Sequence, residues 1–281
     1  MKELESFFQS SAQTIYWPSE LAAIFQKHQS GWKLPREMTF PAFVSWLRQK
    51  RKLTQITLTS PRYAEIVRYA WGPHPSPVLV ALSTKRASYC SHGSALWIHG
   101  LGGSAKDLYV NQEQREKPPN DGNLTQEAID RVFRRQPRHT KLIYRLSKNK
   151  ITIVNGKQTG RLGVEKKLAP TGESVVTCLE RTLIDVTVRP NYAGGASAVM
   201  AAFDAARGIS LQKMLRFLKT LDYTYPYHQA IGFYLLRSGY SQEDREPFAR
   251  LGTDWDFYLC HGLRNPLFDT EWKIYYPRDI R

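Results

Sequence analysis

The apolar pattern of the chain changes period abruptly at Lys52, and that change restricts the fold more than any other feature. Before it, Phe43, Val44, Trp46 and Leu47 sit within a helical pattern behind Thr39, a residue type that caps helices by accepting an orphan backbone N–H. After it, Leu53-Thr54-Gln55-Ile56-Thr57-Leu58-Thr59 alternates in β-favouring residues. The junction is Arg48-Gln49-Lys50-Arg51-Lys52, cations placed where a helix dipole is negative. Ser60-Pro61-Arg62 turns the chain, and Ile66-Val67-Arg68-Tyr69-Ala70-Trp71 returns as a second strand.

Upstream, residues from about 3 to 13 form a short leading helix. Pro18 then takes a first helical position with Glu20 near the positive end, and Leu21, Ile24, Phe25 and His28 carry that helix to Ser30-Gly31. A long loop from Trp32 to Met38 holds Lys33 and Arg36. Helix, helix and two-stranded ribbon is the order of a winged helix-turn-helix. Gly72 to Pro77 is the most turn-rich stretch, and Val78 to Leu82 reads as one more strand closing this unit. The expected division is 1–86 for the winged helix-turn-helix and 87–281 for a larger mixed domain, α+β overall.

Composition narrows the partners. The 281 residues suit two domains, and a 42% hydrophobic fraction with 12% aromatics supports packed cores. The net charge of +15 points to a polyanion. No apolar run approaches the roughly 20 residues of a membrane span, and Met1-Lys2-Glu3-Leu4-Glu5-Ser6-Phe7 lacks the pattern of a signal peptide. Cys90, Cys178 and Cys260 show no metal or disulfide spacing and read as reduced thiols of a cytoplasmic protein.

In the second part, a helix is expected over Tyr89 to Leu101, a strand at Leu108 to Asn111, and a polar loop from Gln112 to Asn123. Lys141 to Leu146 and Ile151 to Val154 read as strands, with a turn at Asn155-Gly156. A helix carrying Glu180 to Asp185 follows, then others over Ala196 to Ala206, Leu211 to Leu221 and His228 to Arg237, and the aromatic tail adds edge strands. In the first of these, Val176, Leu179 and Leu183 form the apolar stripe. Arg181 and Asp185 sit four apart on the other side, close enough to pair. With Glu180 they read as a structural brace, ended by Pro190.

The DNA reading assigns the chemistry to the basic helix. Arg48, Lys50, Arg51 and Lys52, with Lys33 and Arg36 before them, would face a major groove, where Thr39 and Ser45 reach bases or phosphate. Arg62 and Arg68 lie on the wing, suited to flanking backbone or the minor groove. A second basic run from Arg131 to Lys150 carries eight cations and no acid, and is either a phosphate track, a grip for an acidic partner or a solvated face. For a nuclease, Glu165-Lys166-Lys167 supplies an acid and a lysine, with Asp121 or Asp130 as the second carboxylate of a metal pair. No strand of the right kind precedes Glu165. No zinc, Walker, nucleophile-elbow or dinucleotide motif is present. Gly100 to Gly103 is too short to cradle phosphate, and His92 and His99 lack a third ligand. The expectation is therefore no catalysis, no cofactor and no metal.

Four stretches give the chain a resemblance to a known family. They are Arg68-Tyr69-Ala70-Trp71 within the N-terminal order, Ala87-Ser88-Tyr89-Cys90-Ser91-His92-Gly93-Ser94-Ala95-Leu96-Trp97-Ile98-His99-Gly100-Leu101, Glu180-Arg181-Thr182-Leu183-Ile184-Asp185 with Arg189-Pro190 and Tyr192-Ala193-Gly194-Gly195, and Ile231-Gly232-Phe233-Tyr234-Leu235-Leu236 with Gly239. Together they resemble the AbiEi family of bacterial antitoxins and transcriptional regulators, in order and over most of the chain; nothing after about Arg250 takes part. The resemblance implies an autorepressor that binds inverted repeats of double-stranded DNA in its own promoter. It also implies a type IV toxin–antitoxin pair used in phage defence, with a nucleotidyltransferase-type toxin as functional partner and no stable complex between them.

Overall fold

Thr39 caps its helix as expected: its hydroxyl accepts the Ala42 backbone N–H at 3.4 Å, and Phe40–Gln49 (α3) follows. The computed structural model describes residues 2–115, 123–169 and 172–280. Ahead of α3 lie Lys2–Ser10 (α1), Ile15–Tyr16 (β1) and Pro18–His28 (α2); behind it come Leu53–Leu58 (β2) and Ile66–Trp71 (β3). The strands make an antiparallel sheet in the order β1-β3-β2. Strand β1, two residues long, is too short for any periodicity to mark it in the sequence. The helices bury Leu4, Phe8, Leu21, Phe25, Phe43 and Leu47 against Tyr16 and Leu53. The long α2–α3 connection is tied down by Gln29, whose Nε2 donates to the carbonyls of Pro35 and Arg36 at 2.7 and 3.3 Å.

Val78 to Leu82 is helical, not a strand. Ser76 caps it, Pro77 opens it, and Val78, Val80 and Ala81 are buried on one short helix, Pro77–Leu82 (α4). Local capping chemistry prevailed there over the β-favouring side chains. The expected helix at Tyr89 begins late, because Tyr89–Cys90 (β4) is a strand and only His92–His99 (α5) coils.

A six-stranded mixed sheet organises the remainder. Besides β4 it holds Asp107–Glu113 (β5), Ile143–Leu146 (β6), Asn149–Gly156 (β7), Val164–Ala169 (β8) and Gly172–Thr177 (β9), in the order β6-β7-β5-β4-β9-β8. The expected turn at Asn155-Gly156 is strand instead, since β7 pairs with β5 as far as Glu113↔Gly156. The chain reverses earlier, at Ser147 (φ 51°), between β6 and β7. Gln126–Phe133 (α6) supplies the start of the basic run.

Five further helices follow, Leu179–Val188 (α7), Ala196–Ala205 (α8), Leu211–Leu221 (α9), Tyr227–Arg237 (α10) and Gln242–Ala249 (α11). The sheet itself is packed by α4 and α5, and α5 in turn packs on α7. Pro190–Tyr192 forms one 3₁₀ turn after α7, and Gly194 and Gly195 adopt positive φ (100° and 99°) before α8. Phe257–Tyr258 (β10), Leu267–Asp269 (β11) and Ile274–Tyr276 (β12) make a small sheet in the tail. Gly232 of α10 lets Trp272 lie against the helix backbone, as an added Cβ would sit 2.1 Å from the indole.

A continuous apolar cluster joins Ile15, Ile56, Leu58 and Ala70 of the first sheet to Val80, Val110, Ile151 and Val176. It therefore runs across position 86. The tip of the β2–β3 hairpin is also fastened to the larger sheet. Thr59 and Arg145 exchange backbone hydrogen bonds at 3.1 and 2.8 Å. No helix among the described residues is long and apolar enough to cross a membrane.

Candidate nucleic-acid interface

Helix α3 buries Phe43, Val44 and Leu47, which leaves Ala42, Ser45, Arg48 and Gln49 as one exposed stripe at helical spacing. Arg48 is held in place by an Nη1–H bond to Gln55 Oε1 of β2 at 3.0 Å. Lys50 closes the helix and Arg51 takes a left-handed turn (φ 55°), so both cations project from the helix end. Ser45, Arg48, Gln49 and Arg51 share a shallow concavity of about 570 Å³ with Gln55 and Pro73. Arg48, Lys50 and Arg51 have no carboxylate partner among the described residues, whereas Lys52 contacts Glu5 at 3.4 Å.

The other expected contacts spread around this stripe. Lys33 (φ 55°) and Arg36 are exposed on the loop before Thr39, at the far end of a helix roughly 15 Å long. Thr39 spends its hydroxyl on the cap. Arg62 is exposed at the hairpin tip. Arg68 is not available to DNA. It is 4% exposed, lies 3.7 Å above the Trp17 ring, and donates to the carbonyls of Ser83 (2.9 Å), Val67 (2.7 Å) and Thr84 (3.3 Å). Burial lowers its pKa to about 10, so it stays charged at neutral pH and closes the C-terminal end of α4. The β-alternation that placed it on the wing did not reveal which face α4 would cover.

The second basic run divides. Arg134 pairs with Asp130 at 2.8 Å and Lys150 with Asp107 at 3.4 Å. Arg131, Arg135, Arg138 and Lys141 instead line a cleft with Arg189.

Glu180, Arg181 and Asp185 lie on a helix buried on every side from Glu180 to Thr187, not on an outward patch. Arg181 Nε meets Asp185 Oδ1 at 2.8 Å with the two side chains 3% and 5% exposed, and Arg181 Nη1 donates to Leu162 O at 2.8 Å. Glu180 meets Lys213 Nζ at 2.8 Å and accepts the Ser210 N–H at 3.1 Å, joining α7 to the start of α9. Burial would raise Glu180, but those bonds outweigh it and hold its carboxyl below the ordinary value.

For metal-dependent cleavage, the expected groups that lie among the described residues do not assemble. Glu165 and Lys167 sit on β8, and Lys167 Nζ bonds His99 Nδ1 at 2.9 Å. Asp130 is engaged by Arg134, Gln126 and Tyr258, and Asp121 lies outside the described residues. No group of three or more His, Cys, Asp or Glu forms a metal set among the described residues. His92 bonds Ser91 Oγ at 2.8 Å and His99 bonds Thr177 O at 2.8 Å. Gly103 is packed against the Gly93 carbonyl rather than open to a phosphate.

No family model and no curated protein matches the chain. Among solved structures it is similar to the crystal structure of RV2827C protein from Mycobacterium tuberculosis, with a TM-score of 0.60 at 11% identity, covering 98% of this chain and 90% of that one. At that identity the likeness is one of fold.

Proposed function

We propose that this protein is a sequence-specific DNA-binding regulator, with residues 1–86 acting as a winged helix-turn-helix and α3 as the helix that enters the major groove. The observation that carries the reading is the outward stripe of α3, Ser45, Arg48 and Gln49, continued by Lys50 and Arg51 without carboxylate partners among the described residues. Arg and Gln are residue types that read guanine and adenine edges, and on this reading Arg62, exposed at the hairpin tip, would contact the flanking backbone. Lys33 and Arg36 serve the phosphates on the other side of the helix.

The resemblance to AbiEi antitoxins extends this to an autorepressor acting in the cytoplasm on inverted repeats in its own promoter. The larger part, 87–281, would then serve the antitoxin role against a nucleotidyltransferase-type toxin by an indirect route. The protein acts on this reading by binding, not catalysis. A band shift with its own upstream region, in excess competitor DNA at physiological salt, tests the proposal. Replacing Arg48 with Gln is expected to weaken preferential binding by about 1–3 kcal/mol for a lost base contact. No preference for the upstream region over competitor refutes it.

A further inference from the structure

Between the hairpin tip, the end of α6 and the segment leading into α10 lies a cleft of about 1120 Å³, which none of the α3 contacts uses. Five cations line it: Arg131 and Arg135 from one face of α6 and its end, Arg138 and Lys141 from the following loop, and Arg189 from the end of α7. Not one lining residue is acidic, and none of the five cations has a carboxylate partner among the described residues. Unpaired like charges gathered in one concavity repel one another, so an anion is the ligand that stabilises them.

Five tyrosines form part of the remaining wall. Tyr63, Tyr192, Tyr223, Tyr225 and Tyr227 border the same space. Tyr192 fixes the basic loop by accepting the Thr140 N–H at 2.8 Å, and the Gly262 N–H donates to Phe133 O at 2.8 Å behind α6. The walls are therefore set before any ligand arrives, which lowers the ordering cost of binding. Isolated acidic side chains or inorganic phosphate would use the cations alone. Cations beside tyrosines match a phosphate joined to a flat base, the combination found in single-strand sites. The volume slightly exceeds the roughly 300–1,000 Å³ of small-molecule pockets, which fits an unstacked nucleotide or two and not the girth of a duplex.

We propose that this cleft binds nucleotide units, phosphate together with an unstacked base, presented by a single strand or by a free nucleotide. It is a second site, separate from the duplex interface on α3.

Fluorescence anisotropy of a labelled short oligo(dT) or oligo(U) strand with the full chain, at about 0.1 M salt, tests it. The expected result is saturable binding that weakens about ten-fold or more in Arg135→Gln/Arg138→Gln, with the log–log salt slope shallower by about 0.7 per lost phosphate contact. Both side chains are exposed, so an unchanged melting temperature is the check on folding. Tyr63→Ala, at the rim and 40% exposed, is expected to weaken binding several-fold without changing the slope. Binding of the upstream duplex stays intact in these variants, while Arg48→Gln/Arg51→Gln gives the reciprocal pattern, so either site can fail alone. Displacement by ATP identifies a free nucleotide as the source; its failure identifies the strand. The proposal is overturned if neither strand nor ATP binds, if the arginine variant binds both as tightly as the native chain, or if poly-glutamate displaces the strand as well as nucleotide does.

Discussion

The Arg181–Asp185 pair offers the sharpest test of how the larger part is held together. Both side chains are almost wholly removed from water, and their contact is 2.8 Å. Replacing Asp185 with Leu strands a guanidinium that cannot lose its proton and retains only its bond to Leu162 O. The cost of an uncompensated buried charge is about 3–5 kcal/mol. At roughly 2–4 °C per kcal/mol for chains of a few hundred residues, the melting temperature falls by about 6–20 °C. Arg181→Met leaves a different orphan. Burial already pushes Asp185 above the ordinary carboxylate value, so without Arg181 it can take up a proton, and the loss shrinks as the pH is lowered. Replacing both, Arg181→Met with Asp185→Leu, removes both desolvation costs and is expected to leave stability nearer native than either single change. Equilibrium urea unfolding followed by tryptophan fluorescence gives all four corners of the cycle. Singles that cost less than about 1 kcal/mol, or a double change equal to the sum of the two, would show that the pair behaves like a surface ion pair and refute the brace.

Two further outcomes follow from buried groups. Arg68→Leu leaves the carbonyls of Ser83 and Thr84 without their donor and is expected to destabilise by about 1–3 kcal/mol, with the salt slope of DNA binding unchanged; a shallower slope would return Arg68 to the DNA contacts. His92 is held well below the ordinary imidazole value by burial and then by the charges of Arg189 and Arg181. Below about pH 6.5 the unfolded chain takes up a proton there that the folded chain does not, so stability falls with falling pH, by about 1.4 kcal/mol per unit for one such group. His99, His228 and His261 are depressed in the same direction, so His92→Gln flattens the slope by one proton without abolishing it. Urea midpoints between pH 7.5 and 5.5 measure this, and an unchanged slope counts against the buried neutral imidazole.

Local signals carried the sequence reading a long way where each residue reports its own conformation. Thr39, Pro18 and Pro190 mark helix ends by chemistry confined to one turn, and all three do so in the fold. The reading failed where tertiary pairing decides. Ile15–Tyr16 and Tyr89–Cys90 are strands only because β3 and β5 lie beside them. Val78 to Leu82 has a strand's residues but a helix's cap. The charged pair on α7 was legible as a pair, and its complete burial was not, since α8, α9 and α10 come from later in the chain. The cleft was the least visible feature. Its basic run was conspicuous in sequence, whereas Tyr223-Thr224-Tyr225-Pro226-Tyr227 stands some eighty residues on, and only the fold sets the two face to face.

On the proposed DNA-binding role, the Thr59–Arg145 bridge bears on who would yield when the hairpin met a double helix. A hairpin rooted only at its base can swing to follow a curved groove. This one is pinned at its tip as well as at its base, against β6 at the edge of the six-stranded sheet. Such a probe has a fixed shape, and the accommodation falls on the duplex. On the DNA-binding reading, selectivity then arises partly at base pairs the protein never touches, through sequences whose steps bend or widen at least cost.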